Sequence, residues 1–186
     1  PTKMIMERLE EGSSEEEIIR YMHDTYVVSE KKAMLGIEIA KREKAQLDKL
    51  DYENGYSLYI GIPFCPTTCL YCSFTSYPLV SWRQKVDSYL DALEKELDYV
   101  AVKFGKKHLN SIYIGGGTPT TLEPYQLDRL IRKIRCSFDL SHCLEFTVEA
   151  GRPDSITEDK FKVLRAHNIS RISINPQTMK QATLDL

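Results

Sequence analysis

The feature that most constrains the fold is an alternation of short apolar segments with longer amphipathic ones, from residue 58 onward. Four segments have the length and apolar character of buried strands. They are Leu58–Ile62, Ser111–Ile114, Leu144–Glu149 and Arg171–Ile174. Three segments with apolar residues at helical spacing separate them, at about Trp82–Phe104, Pro124–Arg135 and Glu158–Ala166. This alternation predicts an α/β fold whose parallel strands are joined by right-handed crossovers.

Residues 1–54 have a different pattern and are expected to be helical. Ser14-Glu15-Glu16-Glu17 has the form of a capping box and precedes apolar residues at helical spacing. Ser29 can cap a second helix. The apolar face of that helix would hold Ala33, Ile37, Ala40 and Leu47. We therefore predict an N-terminal helical segment at 1–54 and an α/β domain at 55–186.

Three cysteines lie in one loop directly after the first predicted strand, at Cys65, Cys69 and Cys72. Four thiolates usually close the site around a [4Fe–4S] cluster, so three would leave one iron open to a small molecule. A zinc site is the alternative, but it usually takes four ligands. Cys136 and Cys143, which are expected to be buried thiols, are distant in sequence. The spacing therefore favours an iron–sulfur cluster with one open iron.

Three further features follow the other predicted strands at the points where those strands end. Gly115-Gly116-Gly117-Thr118-Pro119-Thr120 follows the second strand, Glu149 ends the third, and Gln177 follows the fourth. The carboxyl ends of parallel strands meet at one edge of a sheet, where α/β proteins build their sites. We therefore expect these features and the cysteine loop to converge.

Each of these features has a structural and a functional interpretation. The glycines can form a sharp turn, or they can let the backbone approach a ligand with no Cβ in the way. Glu149 ends an apolar strand, so its carboxylate needs an ion pair, solvent or a ligand's ammonium or hydroxyl groups. Tyr59 lies opposite Leu58 and Ile60 in the strand alternation, and it can line the core or contact a ligand. Beside an open-iron cluster, the ligand interpretation of the glycine turn is favoured.

Composition excludes several classes of function. The net charge of −2 gives no basic field for nucleic acid, and no apolar run approaches the roughly 20 residues that span a bilayer. Five cysteines, three of them in one loop, argue against a disulfide framework and favour a reducing, cytoplasmic location. The chain begins at Pro1 and stops within what resembles the start of a helix, so we expect a fragment of a longer protein.

These motifs together resemble the radical SAM superfamily, in which a cysteine loop follows one strand and a glycine-rich turn follows the next. More narrowly, four segments resemble the oxygen-independent coproporphyrinogen III oxidase group. They are Tyr59-Ile-Gly-Ile-Pro-Phe-Cys65, Gly115–Thr120, Val148-Glu-Ala150 and Arg171-Ile-Ser-Ile-Asn-Pro-Gln177. The helical leader resembles that of the HemZ-type branch of this group.

The resemblance implies a partial (β/α) barrel, of which this chain would hold the first four βα units after its helical segment. Cys65, Cys69 and Cys72 would hold a [4Fe–4S] cluster, and S-adenosylmethionine would chelate the open iron through its amino and carboxylate groups. Seven positions match the group's cofactor contacts. They are Tyr59, Tyr71, Gly116, Gly117, Thr118, Glu149 and Gln177.

The resemblance also implies a reaction. One electron, supplied through the cluster by an external reductant such as a flavodoxin-type protein, would cleave S-adenosylmethionine to methionine and a 5′-deoxyadenosyl radical. That radical would take a hydrogen from a propionate side chain of coproporphyrinogen III, and loss of CO₂ and one electron would leave a vinyl group. Two rounds would give protoporphyrinogen IX. A fragment with four barrel strands is expected to be inactive alone.

Two departures from the group's pattern leave a second function open. The established dehydrogenases carry another cysteine where this chain has Phe74, and the haem-chaperone branch carries an aromatic residue there. A haem-binding carrier on the same scaffold is therefore the alternative. In addition, Glu149-Ala-Gly-Arg-Pro-Asp154 is longer than the group's Glu-x-Asp/Asn-Pro pattern, by an insertion at Gly151-Arg152.

Overall fold

The computed structural model describes residues 2–51 and 53–185. Contacts within the chain divide it into two compact units, Pro1–Asp51 and Tyr52–Leu186. No helix in the described ranges combines the length and the apolar character that a membrane crossing requires.

The described part of the first unit is helical, as the sequence predicts. Its helices are α1 (Thr2–Glu10), α2 (Glu15–Tyr26) and α3 (Glu30–Leu47). The predicted capping box is present, because Ser14 Oγ accepts from the Glu17 amide at 3.2 Å and the Glu17 carboxylate accepts from the Ser14 amide at 2.8 Å. A small apolar core forms between the helices. Its buried members are Ile5, Ile18, Met22, Ala33, Ile37 and Ala40.

Two details of α3 differ from the prediction. Ser29 stands at the N-cap position, but its side chain makes no capping hydrogen bond. Leu47 is 41% exposed rather than part of the apolar face. It is the last residue of α3, and the buried side of the helix ends at Ala40, so the final turns carry no core contact.

The second unit is built on a parallel sheet with helices in the connections between its strands. Within the described residues, the strand order is β1-β4-β5-β6 and every neighbouring pair is parallel. These strands are β1 (Gly55–Ile62), β4 (His108–Gly116), β5 (Glu145–Glu149) and β6 (Arg171–Ser173). A separate two-stranded pair is formed by β2 (Phe64–Cys65) and β3 (Tyr77–Pro78). The helices are α4 (Leu79–Trp82), α5 (Val86–Phe104), α6 (Pro124–Ser137), α7 (Glu158–Ala166) and α8 (Gln181–Leu184).

The main core lies between one face of the sheet and the apolar sides of α5, α6 and α7. The sheet contributes alternate residues, since successive side chains of a strand point to opposite faces. These residues are Ile60, Ile62, Ile112, Ile114, Phe146 and Val148, and the helices add Leu90, Leu97, Leu130, Ile131, Ile134 and Leu164. The same alternation places Tyr59, Tyr113 and Glu149 on the opposite face.

The element bounds depart from the prediction at several points. The first predicted strand begins at Gly55 rather than Leu58, and the second continues to Gly116 rather than ending at Ile114. The second predicted strand begins at His108 rather than Ser111, because it continues to pair with β1 back to Gly55. The helix expected from Trp82 is broken by a 3₁₀ turn at Arg83–Lys85, where Trp82 has φ −116° and ψ 1°. The last two predicted strands are shorter than expected, so Leu144 and Ile174 lie outside them.

Candidate functional site

The cysteine loop begins where β1 ends and is closed at its base by backbone hydrogen bonds. Pro63 follows β1, and its carbonyl accepts from the Tyr77 amide at 2.7 Å. The short pair β2–β3 places Phe64 beside Tyr77 and Cys65 beside Pro78. The loop from residue 66 to residue 76 therefore leaves from and returns to the same edge of the sheet.

The three thiols of this loop are half-buried and form no disulfide. Cys65 Sγ lies 3.5 Å from Thr118 Oγ1, and the Cys72 amide donates to the Cys69 carbonyl at 3.0 Å in a tight turn. Soft thiolate donors of this kind suit iron–sulfur clusters. The donor set and its partial shelter therefore fit a cluster.

The other cysteines are not brought to this loop. Cys143 precedes β5 and so lies at the amino edge of the sheet, and burial raises the pKa of its thiol. Cys136 is exposed, contrary to the expectation of a buried thiol, because it falls outside the apolar stripe of α6 that ends at Ile134. In residues 2–51 and 53–185, no three His, Cys, Asp or Glu side chains are arranged to hold a single metal ion. A cubane cluster takes each cysteine on a different iron, so its thiols need not converge on one point.

The glycine turn, Gly115–Gly117, begins with the last two residues of β4 and packs directly against the start of the cysteine loop. The Gly117 amide donates to the Ile62 carbonyl at 2.7 Å, and the Thr118 amide donates to the Phe64 carbonyl at 2.8 Å. Gly116 has φ +109°, and a Cβ on it would lie 2.9 Å from the Ile62 nitrogen. A Cβ on Gly117 would lie 2.6 Å from the Phe64 carbonyl oxygen and 3.0 Å from the Cys65 sulfur.

This packing gives the glycines a structural role, which is one of the two interpretations that the sequence leaves open. Their Cβ directions are filled by protein atoms, so glycine is required here for close approach of two backbone segments. Thr118 is buried beneath Cys65 rather than open to the other face of the sheet. Contacts of Gly116, Gly117 and Thr118 with a cofactor remain a prediction, and they would have to use atoms other than the Gly117 and Thr118 amides.

A tyrosine–carboxylate pair lies on the sheet face opposite the helices. Tyr113 Oη donates to Glu149 Oε1, and this bond, together with burial, raises the pKa of Tyr113 to about 12. The ring of Tyr59 stacks on Tyr113 with centroids 5.8 Å apart, and Tyr59 is 62% exposed. A Cβ on Gly115 would lie 2.7 Å from the Tyr113 ring and 3.0 Å from Glu149 Oε2. The absence of that Cβ leaves the space in which the pair sits.

Tyr113 lies in the candidate site but is not among the residues predicted from the sequence. Its position in the strand alternation could have indicated this role, since Tyr113 pairs with Tyr59 in the β1–β4 register and precedes the glycine turn by two residues. Tyr59 itself lines the open face and does not lie in the helix-covered core.

The cysteine loop also meets the loops after β5 and β6. Tyr71 Oη donates to Gln177 Oε1, and Gln177 Nε2 donates to the Gly151 carbonyl at 3.0 Å. Gln177 holds this position with φ +64°, a left-handed conformation that is uncommon outside glycine and that clusters at functional sites. Arg152 reaches the same loop and donates to Cys69 Sγ at 3.2 Å. The predicted convergence of features at the carboxyl edge is therefore present.

Comparison with known proteins identifies the family. The family model of the radical SAM superfamily matches residues 59–186. The oxygen-independent coproporphyrinogen-III oxidase-like protein HemZ of Bacillus subtilis is 40% identical over 189 residues, which cover 99% of this chain and 38% of that protein. The heme chaperone HemW of Bacillus subtilis is 43% identical over 133 residues, or 69% of this chain and 34% of HemW.

The oxygen-independent coproporphyrinogen III oxidase of Escherichia coli is 36% identical over 125 residues, or 67% of this chain and 27% of the oxidase. The solved structure of the Escherichia coli coproporphyrinogen III oxidase HemN, described as a radical SAM enzyme, superposes with a TM-score of 0.63 at 31% identity. That match covers 76% of this chain and 33% of HemN. The chain thus spans between a quarter and two fifths of the length of these relatives. It belongs to the radical SAM superfamily, in the group of coproporphyrinogen III oxidase-like proteins.

Proposed function

We propose that the full-length protein is a radical SAM enzyme that oxidatively decarboxylates coproporphyrinogen III to protoporphyrinogen IX without oxygen. The observation that carries this proposal is the set of three half-buried cysteines in one loop. The glycine turn packs against the start of that loop, and Tyr71 of the loop donates to Gln177. The substrate class rests on the relatives, two of which are named as coproporphyrinogen III oxidases or oxidase-like proteins.

The cofactors are a [4Fe–4S] cluster and S-adenosylmethionine, as in the rest of the superfamily. Cys65, Cys69 and Cys72 would hold the cluster through their thiolates, since they are the cysteines at this edge of the described sheet. When bound, the two cofactors supply one-electron radical chemistry, and the protein binds, orients and shields the reacting atoms. An external one-electron reductant, such as a flavodoxin-type protein, would reduce the cluster.

Glu149 would bind the ammonium or ribose hydroxyls of S-adenosylmethionine. Its Oε1 already accepts from Tyr113, which fixes the direction of the carboxylate and leaves Oε2 as a further acceptor. Tyr59 would present its exposed ring on the same face. Tyr71 and Gln177 would close the ligand space between the cysteine loop and the loop after β6.

A haem carrier is the second candidate function, and one residue favours it. Phe74 stands where the dehydrogenases of the group carry a further cysteine, and its side chain is 73% exposed. An exposed aromatic ring beside the cysteine loop can pack on a porphyrin face. A relative named as a heme chaperone is also 43% identical to this chain over the matched residues.

Product analysis separates the two functions. The reconstituted full-length protein is incubated anaerobically with S-adenosylmethionine, a reductant and coproporphyrinogen III, with Cys69→Ala as the matched control. We expect protoporphyrinogen IX from the parent and none from the control. Stoichiometric retention of added haem without decarboxylation would support the carrier instead. A parent that neither decarboxylates coproporphyrinogen nor retains haem would overturn both functions.

A further inference from the structure

The guanidinium of Arg152 spans from the loop after β5 to the cysteine loop after β1. Its Nη1 lies 3.2 Å from Cys69 Sγ and 3.4 Å from the Thr67 carbonyl oxygen. Its Nη2 lies 3.2 Å from Thr67 Oγ1. The guanidinium therefore makes three donor contacts with the cysteine loop, two to Thr67 and one to Cys69.

A second set of contacts fixes the guanidinium in this place. Asp154 accepts from Arg152 Nη2 at 2.6 Å and from Nε at 3.1 Å, in the two-point geometry that holds a guanidinium plane rigidly. The Arg152 carbonyl accepts from the Ser155 hydroxyl at 2.6 Å, which ties the backbone as well. The side chain is only 20% exposed. An arginine guanidinium stays protonated in proteins, so the group is a permanent cation.

Arg152 follows Gly151 in the segment that the resemblance to the group implies is an insertion. Its neighbour Gly151 accepts from Gln177 Nε2, so the two inserted residues touch both sides of the ligand space. Arg152 therefore brings a cation to the cysteine loop.

A cation that donates a hydrogen bond to a ligand sulfur raises the electron affinity of the cluster. Reduction adds one negative charge, and hydrogen bonds to the cysteine sulfurs and nearby positive charge stabilise the reduced form. We propose that Arg152 is a positioning residue that orients the Cys69 thiolate and raises the reduction potential of the cluster. This inference rests on the cluster of the proposed function, but not on the identity of the substrate.

The test is an EPR-monitored redox titration of the reconstituted full-length protein, with iron and sulfide measured in every sample. Arg152→Met removes the charge and the donors, and Arg152→Lys keeps the charge but not the planar fork. The control is Arg132→Met, since Arg132 is an exposed arginine of α6 whose side chain is 71% accessible and pairs with Asp128. We expect Arg152→Met to retain iron and to shift the one-electron reduction equilibrium at least tenfold toward the oxidised cluster, or about 59 mV. Arg132→Met should match the parent.

Each outcome decides the proposal. Full iron with an unchanged potential in Arg152→Met would overturn it. If that variant retains no cluster, Arg152→Lys decides, because an ammonium lacks the planar fork that meets Thr67 and Cys69 while Asp154 holds it. The reduction potential of Arg152→Lys should lie below that of the parent, and an equal potential would overturn the proposal. A parent that binds no iron would overturn the proposed function itself, whereas failure of the variants alone leaves that function standing.

Discussion

Replacing Glu149 with alanine in the full-length protein should weaken the binding of S-adenosylmethionine while leaving the cluster in place. Glu149 is the last residue of β5 and lies on the open face of the sheet. Its Oε1 is held by Tyr113, and its Oε2 is the atom expected to accept from the ligand. Cluster assembly should not need the residue, because none of the cysteine contacts described above involves Glu149.

The magnitude follows from the hydrogen bonds that the substitution removes. Loss of a hydrogen bond to a charged group costs about 1.5–3 kcal/mol, which corresponds to a roughly 10- to 100-fold loss of affinity. The substitution also leaves the half-buried Tyr113 hydroxyl without its acceptor, so the free energy of unfolding should fall by about 1–2 kcal/mol. Tyr113→Phe is the matched control, because it removes the internal bond but keeps the carboxylate. It should carry a similar stability loss and change affinity by less than about tenfold.

The assay is an anaerobic titration of S-adenosylmethionine into the parent, Glu149→Ala and Tyr113→Phe, with iron content and thermal unfolding measured alongside. An affinity for Glu149→Ala equal to that of the parent would show that the ligand does not use this carboxylate. Equal losses of affinity in Glu149→Ala and Tyr113→Phe would show that the effect comes from the tyrosine pair rather than from a direct bond to the ligand.

Two further predictions follow from the geometry. Gly116→Val should lower the free energy of unfolding by about 2–3 kcal/mol and should also lower the iron content. The reason is that the position has φ +109° and that a Cβ there would lie 2.9 Å from the Ile62 backbone. A variant that denaturation and metal assays show to be stable and fully loaded with iron would refute this. The difference in unfolding free energy between the parent and Tyr113→Phe should be constant below pH 10 and disappear between pH 10 and about 12. The raised pKa of Tyr113 stabilises the fold only while its hydroxyl keeps the proton. A difference that persists above pH 12 in urea titrations would contradict this prediction.

The sequence predicts the strands and the edge at which the site forms, because both depend on local patterns. Alternating apolar residues in strands such as Ile60-Gly-Ile62 and Ile112-Tyr-Ile114 identify the buried face, and the direction of a parallel strand sets which end carries the loop. The exposure of Cys136 could also have been predicted from the sequence, since the helical spacing of Leu130 and Ile134 places Cys136 outside the apolar stripe of α6.

Contacts between distant segments could not be predicted, because they depend on register and on backbone approach. Tyr113 meets Glu149 only because Tyr113 pairs with Thr147 across β4 and β5, which brings the residue two positions further along within reach. The close approach of the Ile62 backbone to Gly116, which leaves no room for a Cβ, likewise depends on the pairing of β1 with β4. Both contacts can be recognised only once the pairing of β4 with its neighbouring strands is known.

The most direct test of the central claim is the iron, sulfide and EPR spectrum of the reconstituted full-length protein, recorded with and without S-adenosylmethionine. We expect about four irons and four sulfides per chain, and a reduced-cluster spectrum that shifts when S-adenosylmethionine occupies the open iron. Alanine at Cys65, Cys69 or Cys72 should abolish the cluster, and alanine at Cys136 or Cys143 should not. Stoichiometric zinc without iron uptake, or a cluster whose spectrum is unaffected by S-adenosylmethionine, would contradict the claim.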